Sequence, residues 1–117
     1  GQIEGGLIQG MGWMTMEDLQ YNNEGQLMSN TLSTYKIPDI YSVPKTVTIE
    51  PLDTDGNDMA ILKSKAVGEP PLMYGIGAYF AIENAIKSFN PIFNSTFDAP
   101  FTHEKVLMGL HGSLDFE

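Results

Sequence analysis

Apolar side chains recur at intervals of three to five residues along the start of the chain, from Ile3 to Leu19. This spacing places them on one face of an α-helix, so the pattern predicts a helix from Gln2 to about Leu19. The predicted helix contains four glycines, which are Gly5, Gly6, Gly10 and Gly12. Each glycine within a helix costs up to about 1 kcal/mol relative to alanine, so four of them require a physical reason. Close approach of another backbone or of a ligand is one explanation, and tight packing of a core helix is the other.

The middle of the chain carries patterns typical of turns and short strands. Residues 21–25 predict a turn, and short strands before it and at residues 26–29 favour a hairpin. Residues 46–50 alternate polar and β-branched apolar side chains, which is the strongest strand pattern in the sequence. Residues 59–62 form a second predicted strand, whereas residues 32–38 show no period and are expected to be irregular.

Helical patterns return in the last third of the chain. Apolar residues keep helical spacing from residue 72 to residue 88, with Pro71 at the start and Pro91 just after the end. Thr102 is placed to cap a last, short helix. The predicted fold class is therefore α+β, with a glycine-rich N-terminal helix, a small antiparallel sheet, and one long and one short C-terminal helix.

Composition narrows the classes of partner and of chemistry. The 117 residues, 42% apolar and 18% charged, are typical of one globular unit. Six lysines and arginines against fifteen acidic residues give a net charge of −9, which disfavours nucleic acid and anionic lipid as partners. The lack of cysteine excludes disulfides, thiolate metal sites and a cysteine nucleophile. No apolar run long enough to span a membrane and no secretion signal is present, so a cytoplasmic protein is expected.

Two patterns that resemble metal sites do not meet the requirements for one. His103 and His111 have no third ligand at metal-binding spacing, so we expect no metal site there. The acidic residues 53–58 resemble a calcium loop, but the positions that need glycine and glutamate hold Asp58 and Ser64. A solvated hairpin turn is the expected structure of this segment.

The stretch S-K-A-V-G-E-P-P at residues 64–71 is the most informative for chemistry. Gly68 permits an unusual backbone turn, while Pro70 disfavours the α conformation at Glu69, so we expect Glu69 in an extended conformation at the mouth of a helix. Two roles remain open for its carboxylate. It either complements the positive end of the helix or acts as a general base.

Three motifs together resemble one enzyme family. They are G-Q-I-E-G-G at residues 1–6, S-T-Y-K-I-P at 33–38 and K-A-V-G-E-P-P at 65–71. In order and approximate spacing they resemble the C-terminal end of the molybdopterin-binding domain of xanthine dehydrogenases and aldehyde oxidases. The resemblance extends to the last predicted helix, and it implies that residues 1–117 are a C-terminal segment of such a domain within a larger enzyme.

The resemblance implies roles for five residues. In the family, the glutamate of the G-E-P-P motif is the catalytic base, which implies that Glu69 takes a proton from a molybdenum-bound hydroxide as its oxygen attacks the substrate. The glutamine of the G-Q-I-E-G motif hydrogen-bonds to the molybdenum cofactor, which implies this role for Gln2. Ala66, Val67 and Gly68 would form part of the pocket wall. No residue of this chain is expected to ligate the metal.

The resemblance also implies what the rest of the enzyme supplies. The molybdenum–molybdopterin cofactor would be shared with upstream segments, and iron–sulfur clusters and FAD would lie on other domains or subunits. The remainder of the molybdopterin domain and the iron–sulfur and flavin subunits are therefore the expected partners. The expected reaction is oxidation of a purine-like heterocycle, xanthine or hypoxanthine, with water as the oxygen source. An aldehyde oxidoreductase of the same family and a noncatalytic acidic assembly module are the alternatives.

Overall fold

The structure is a computed structural model that describes residues 1–55 and 58–112. In these two ranges the regular structure is helical: α1 (Gln2–Thr15), α2 (Glu69–Tyr74), α3 (Ile76–Phe89) and α4 (His103–His111), with one short 3-10 segment at Ile61–Lys63. None of the helices in these ranges has the length and apolar character that crossing a bilayer requires.

The predicted antiparallel sheet is wrong, because residues 1–55 and 58–112 contain no β-strand. The predicted hairpin is present only as a turn, closed by a single antiparallel bridge between Tyr21 and Leu27. The side chain of Asn22 holds this turn by accepting hydrogen bonds from the backbone amides of Glu24 at 3.0 Å and Gln26 at 2.9 Å. Side-chain hydrogen bonds of this local kind form a turn without needing a sheet around it.

Residues 46–50 show why a good strand pattern did not produce a sheet. Val47 and Ile49 are half-buried, whereas Thr46, Thr48 and Glu50 are exposed, so the predicted alternation is visible in the burial. A strand also needs a hydrogen-bonded neighbour, and the described part of the chain pairs none with this segment. The second predicted strand, at residues 59–62, runs instead into the 3-10 segment Ile61–Lys63.

The helix predictions are confirmed, with changes at their ends. The N-terminal helix is α1, which ends at Thr15 rather than near Leu19. The long predicted helix is divided at Gly75 into α2 and α3. Thr102 caps α4 as predicted, because its side-chain oxygen accepts a hydrogen bond from the backbone amide of Lys105 at 3.3 Å.

A small core joins α1, α3 and α4. Tyr79 and Ile86 of α3 and Phe101, just before α4, are buried, and the rings of Tyr79 and Phe101 stack with their centroids 4.4 Å apart. The partly buried apolar residues packed against them are Met14, Ile82, Phe93, Val106 and Leu110. The backbone amide of Phe101 donates a 2.8 Å hydrogen bond to the carbonyl oxygen of Met14, which fixes the start of α4 on the end of α1.

Glycines bring α1 almost into backbone contact with α2 and with the turn between α2 and α3. A Cβ atom built on Gly10 would lie 2.0 Å from the carbonyl oxygen of Leu72, and one built on Gly75 would lie 2.3 Å from the carbonyl carbon of Gly10. One turn earlier in α1, a Cβ on Gly6 would lie 2.9 Å from the carbonyl oxygen of Gly68. Close approach of another backbone is therefore the reason for Gly6 and Gly10.

Much apolar surface is left uncovered. The Cα radius of gyration is 18.0 Å, whereas a compact domain of this length has a radius of about 13 Å. Residues 39–55 and 58–67, which we call the arm, contain no α-helix. Six apolar side chains of the arm are between 81% and 96% exposed: Ile40, Tyr41, Leu52, Met59, Ile61 and Leu62. Exposure on this scale indicates a surface that packs against something outside the described residues.

The close backbone contact at Gly10 and Gly75, which we call the glycine crossing, predicts opposite effects for two alanine substitutions. Gly10→Ala should destabilise the packing of α1 on α2 by about 2 kcal/mol or more, because the new methyl group meets backbone atoms that cannot turn aside. Gly77→Ala, in α3, is the control, because a Cβ there has no atom within 4 Å and should gain up to about 1 kcal/mol of helix stability. Hydrogen exchange of α1 peptides should become faster only for Gly10→Ala, and equal exchange in both variants would contradict the crossing.

Candidate functional site

The amino-terminal ends of α1 and α2 border an open cleft. Its volume is about 440 Å³. The residues that line it are Gly1, Gln2, Gly5, Gly6 and Gln9 from the start of the chain, Gly68 and Glu69 from the K-A-V-G-E-P-P motif, and Leu72 directly after it. Three of the five residues singled out from the sequence, Gln2, Gly68 and Glu69, are therefore brought together.

The Gln2 side chain lies directly beside the K-A-V-G-E-P-P motif. A Cβ atom on Gly68 would lie 3.0 Å from Nε2 of Gln2, so the glycine leaves room for the amide group beside the backbone. Within residues 1–55 and 58–112 the Gln2 side chain makes no hydrogen bond, and it is exposed to the cleft. Its donor and acceptor atoms are thus available to a ligand.

Glu69 is the first residue of α2, so the predicted extended conformation is wrong. Pro70 and Pro71 fall in the first helical turn, where a missing backbone N–H leaves no hydrogen bond unmade, and the helix begins three residues before Leu72, where the apolar spacing starts. The Glu69 side chain is exposed and has no hydrogen bond or ion pair with any described residue. The geometry is compatible with both roles left open by the sequence, because the carboxylate lies at a helix start and also faces the cleft.

Ala66 and Val67 are not brought into the cleft. Both are exposed residues of the arm, and neither is among the residues that line the cleft. The nearby Lys65 ammonium donates a 2.9 Å hydrogen bond to the carbonyl oxygen of Thr54, which ties this part of the arm to itself. The wall of the cleft is formed instead by the start of α1, through Gln2, Gly5, Gly6 and Gln9.

Gln9 is the polar residue that sequence reasoning missed. It lies seven residues after Gln2, and that interval returns a helical residue to nearly the same face two turns later. The seven-residue interval between Gln2 and Gln9 was the signal in the sequence that could have identified Gln9, whereas the apolar spacing marks only the other face of the helix.

Among the described residues, no group of three or more acidic, histidine or cysteine side chains could hold a metal ion.

Comparison with known proteins identifies the family of the chain. Residues 1–44 match the family model of the molybdopterin cofactor-binding domain. The chain is 41% identical to xanthine dehydrogenase/oxidase of Rattus norvegicus over 112 residues, which are 91% of this chain and 8% of that protein. It is 41% identical to xanthine dehydrogenase of Drosophila subobscura over 100 residues (86% and 7%), and 36% identical to xanthine dehydrogenase 2 of Arabidopsis thaliana over 119 residues (92% and 9%).

The chain is therefore a segment of the molybdopterin cofactor-binding class. Within that class it belongs to the xanthine dehydrogenase family, which confirms the resemblance drawn from the three motifs and the expected molybdenum–molybdopterin cofactor. The chain spans less than a tenth of the length of these relatives, which have other domains as well.

The geometry of the cleft fits such a cofactor. A Cβ atom on Gly5 would meet no atom within 4 Å, so this glycine serves no helix contact among the described residues. It leaves free a space beside Gln2 that a side chain would occupy, and a flat ring system can approach the helix there. The neutral amide of Gln2 can both donate to and accept from a pterin, whose ring nitrogens and exocyclic groups include donors and acceptors.

Proposed function

We propose that residues 1–117 are the C-terminal segment of a molybdopterin-binding domain and form one side of the active site of a molybdenum hydroxylase. The observation that carries this proposal is the meeting of Gln2 and Glu69 in one cleft, although more than sixty residues separate them in the sequence. The family match at residues 1–44 includes Gln2 but not Glu69. Glu69 of the K-A-V-G-E-P-P motif supports the proposal because it lines the same cleft as Gln2.

Gln2 holds the cofactor through its side-chain amide, and Gly68 keeps the space beside that amide open. The molybdenum–molybdopterin cofactor, when bound, supplies the two-electron oxidation that adds a water-derived oxygen to an electron-poor carbon. A carboxamide is suited to such a position, because it orients a polar ligand without adding a charge to the site. Ala66 and Val67, which lie outside the cleft, are not given a role here.

Glu69 acts as the general base of the reaction. Its carboxylate faces the cleft and is not occupied by a hydrogen bond or an ion pair within the described residues. It is therefore able to accept the proton that the attacking oxygen must lose. Its place at the start of α2, on the side of the cleft opposite to α1, fixes the backbone from which the carboxylate extends.

The substrate we favour is a purine-like heterocycle such as xanthine or hypoxanthine, because the relatives named above are xanthine dehydrogenases. An aldehyde is the alternative substrate. Assays of the complete protein with xanthine, hypoxanthine and aromatic aldehydes separate the two, and faster turnover of the aldehydes would replace the heterocycle assignment.

The partners we propose are the remainder of the molybdopterin domain and the iron–sulfur and flavin units of the enzyme. The arm supports the first of these, because its exposed apolar side chains match what a chain segment presents to the body of its own domain. The cytoplasmic location expected from the sequence stays a prediction.

Replacing the base should separate catalysis from cofactor binding. In the complete protein that carries this chain, Glu69→Gln should lower turnover by about 100- to 10,000-fold, because an amide cannot accept the proton. The content of molybdenum and pterin should stay close to that of the unchanged protein, since Gln2 and the glycines of the cleft are intact. Steady-state assays and metal analysis of the same preparation measure both quantities.

Glu4→Gln is the matched control for that experiment. Glu4 is also an exposed carboxylate in the first turn of a helix, but it does not line the cleft. If Glu69 served only to complement the helix end, the two variants should behave alike and lose little activity. A Glu69→Gln enzyme that keeps near-normal turnover removes the base assignment.

The arm should be protected from proteolysis in the complete protein, because we expect it to pack against the rest of the domain. Ile40→Ser together with Leu52→Ser should expose the arm to limited proteolysis, because each buried side chain of this size stabilises the docked state by about 1.5–3 kcal/mol. Asp53→Ser, a polar change in the same exposed segment, should leave the cleavage rate unchanged. Rapid cleavage of the arm in the unchanged protein would show that it does not pack against the rest of the domain.

A further inference from the structure

We propose that Gln9 is a second carboxamide that binds the organic part of the cofactor, two helical turns along α1 from Gln2. This inference rests on the function proposed above. It assigns a binding role to a residue that neither the three motifs nor the Glu69 mechanism uses. The juxtaposition of Gln2, Gly5 and Gln9 on the cleft-lining face of α1 carries it.

The geometry of α1 places the two amides along one side of the cleft. Seven residues turn a helix through about 700°, only about 20° short of two full turns, and advance it by about 10.5 Å. Gln2 and Gln9 consequently project from nearly the same face, and both line the cleft. An interval of this length is suited to two contacts on one elongated, fused-ring ligand.

Gly5 leaves the helix surface between the two amides bare. A Cβ atom at Gly5 would have no atom within 4 Å, in contrast to Gly6, where it would lie 2.9 Å from the carbonyl oxygen of Gly68. Packing on α2 therefore explains Gly6 but gives no reason for Gly5. A glycine in this helix lowers its stability relative to alanine, so an open approach for a ligand is the remaining reason for it.

Gln9 has no competing structural role among the described residues. Its side chain is exposed and makes no hydrogen bond with them. The contact of α1 with α2 is made instead by Gly6 and Gly10. Glu69 is the one acidic or basic side chain among the residues that line the cleft, so a neutral heterocycle with amide-like edges suits the remainder of this surface.

The test measures retention of the cofactor rather than activity. In the complete protein, Gln9→Ala should release its pterin about three to ten times faster, which is the effect of losing one hydrogen bond to a neutral group. The fluorescence of the released, oxidised pterin reports the rate. Asn84→Ala is the matched control, because Asn84 carries an exposed side-chain amide on α3, outside the cleft.

A second pair of variants tests the space beside Gln9. Gly5→Ala should lower the pterin content at least threefold without faster hydrogen exchange in α1, because its methyl group meets the ligand and not the protein. Gly77→Ala, where a Cβ also has no atom within 4 Å, should keep its pterin content. If Gln9→Ala does not fold, Gln9→Met keeps the side-chain length and helix propensity and takes its place.

The outcomes distinguish this inference from the proposed function. If Gln9→Ala and Gly5→Ala both retain pterin as the unchanged protein does, the role of Gln9 is overturned, while a lower turnover of Glu69→Gln would still support the proposed function. If the unchanged complete protein holds no pterin, both proposals are overturned. Faster release by Gln9→Ala but not by Asn84→Ala supports the assignment.

Discussion

The backbones of α1 and of the turn between α2 and α3 approach until no side chain fits between them. Gly10 and Gly75 form this contact, and a Cβ on either would overlap backbone atoms of the other side. Backbone atoms cannot rotate away as a side chain does. This contact therefore fixes the distance between α1 and α2 more strictly than ordinary side-chain packing does. The distance between Gln2 and Glu69 follows from it, because each lies at the start of one of these helices.

The cleft is open because this chain supplies one side of it. Its lining is made of glycines, two neutral side-chain amides, one carboxylate and Leu72, and the amides and the carboxylate have no hydrogen-bond partner among the described residues. Such an arrangement is costly for a surface that faces only water, since Gly5 weakens the helix without making a close contact with any other described part of the chain. It is typical of a surface that a ligand and another part of the protein complete.

The helices could be predicted from the sequence because their determinants are local. Apolar spacing located α1 and α3, and Thr102 marked the start of α4 by a hydrogen bond that spans only three residues. The sheet could not be predicted correctly, because a strand at residues 46–50 requires a hydrogen-bonded neighbouring strand, and the pattern of one segment does not specify that neighbour. The local pattern correctly indicates that Val47 and Ile49 are more buried than the residues beside them, but it does not indicate whether a neighbouring strand is present.

The site was predicted in part for a similar reason. Motif resemblance pointed to Gln2, Gly68 and Glu69, and the cleft contains all three. The same resemblance assigned Ala66 and Val67 to the pocket wall, but both are exposed residues of the arm that precede Gly68 and do not line the cleft. Gln9 lines the cleft because the helical repeat returns it to the face of Gln2. It lies outside the three motifs, so the motif resemblance could not indicate it.

The glycine crossing also restricts how this protein can change over time. An overlap in a protein core is usually relieved when the opposing residue becomes smaller. Gly10 and Gly75 are already the smallest residues, so neither can shrink to accommodate a larger neighbour. No single compensating substitution is open to this pair, and mutational drift at either position should end in loss of the helix pairing rather than in a repacked alternative.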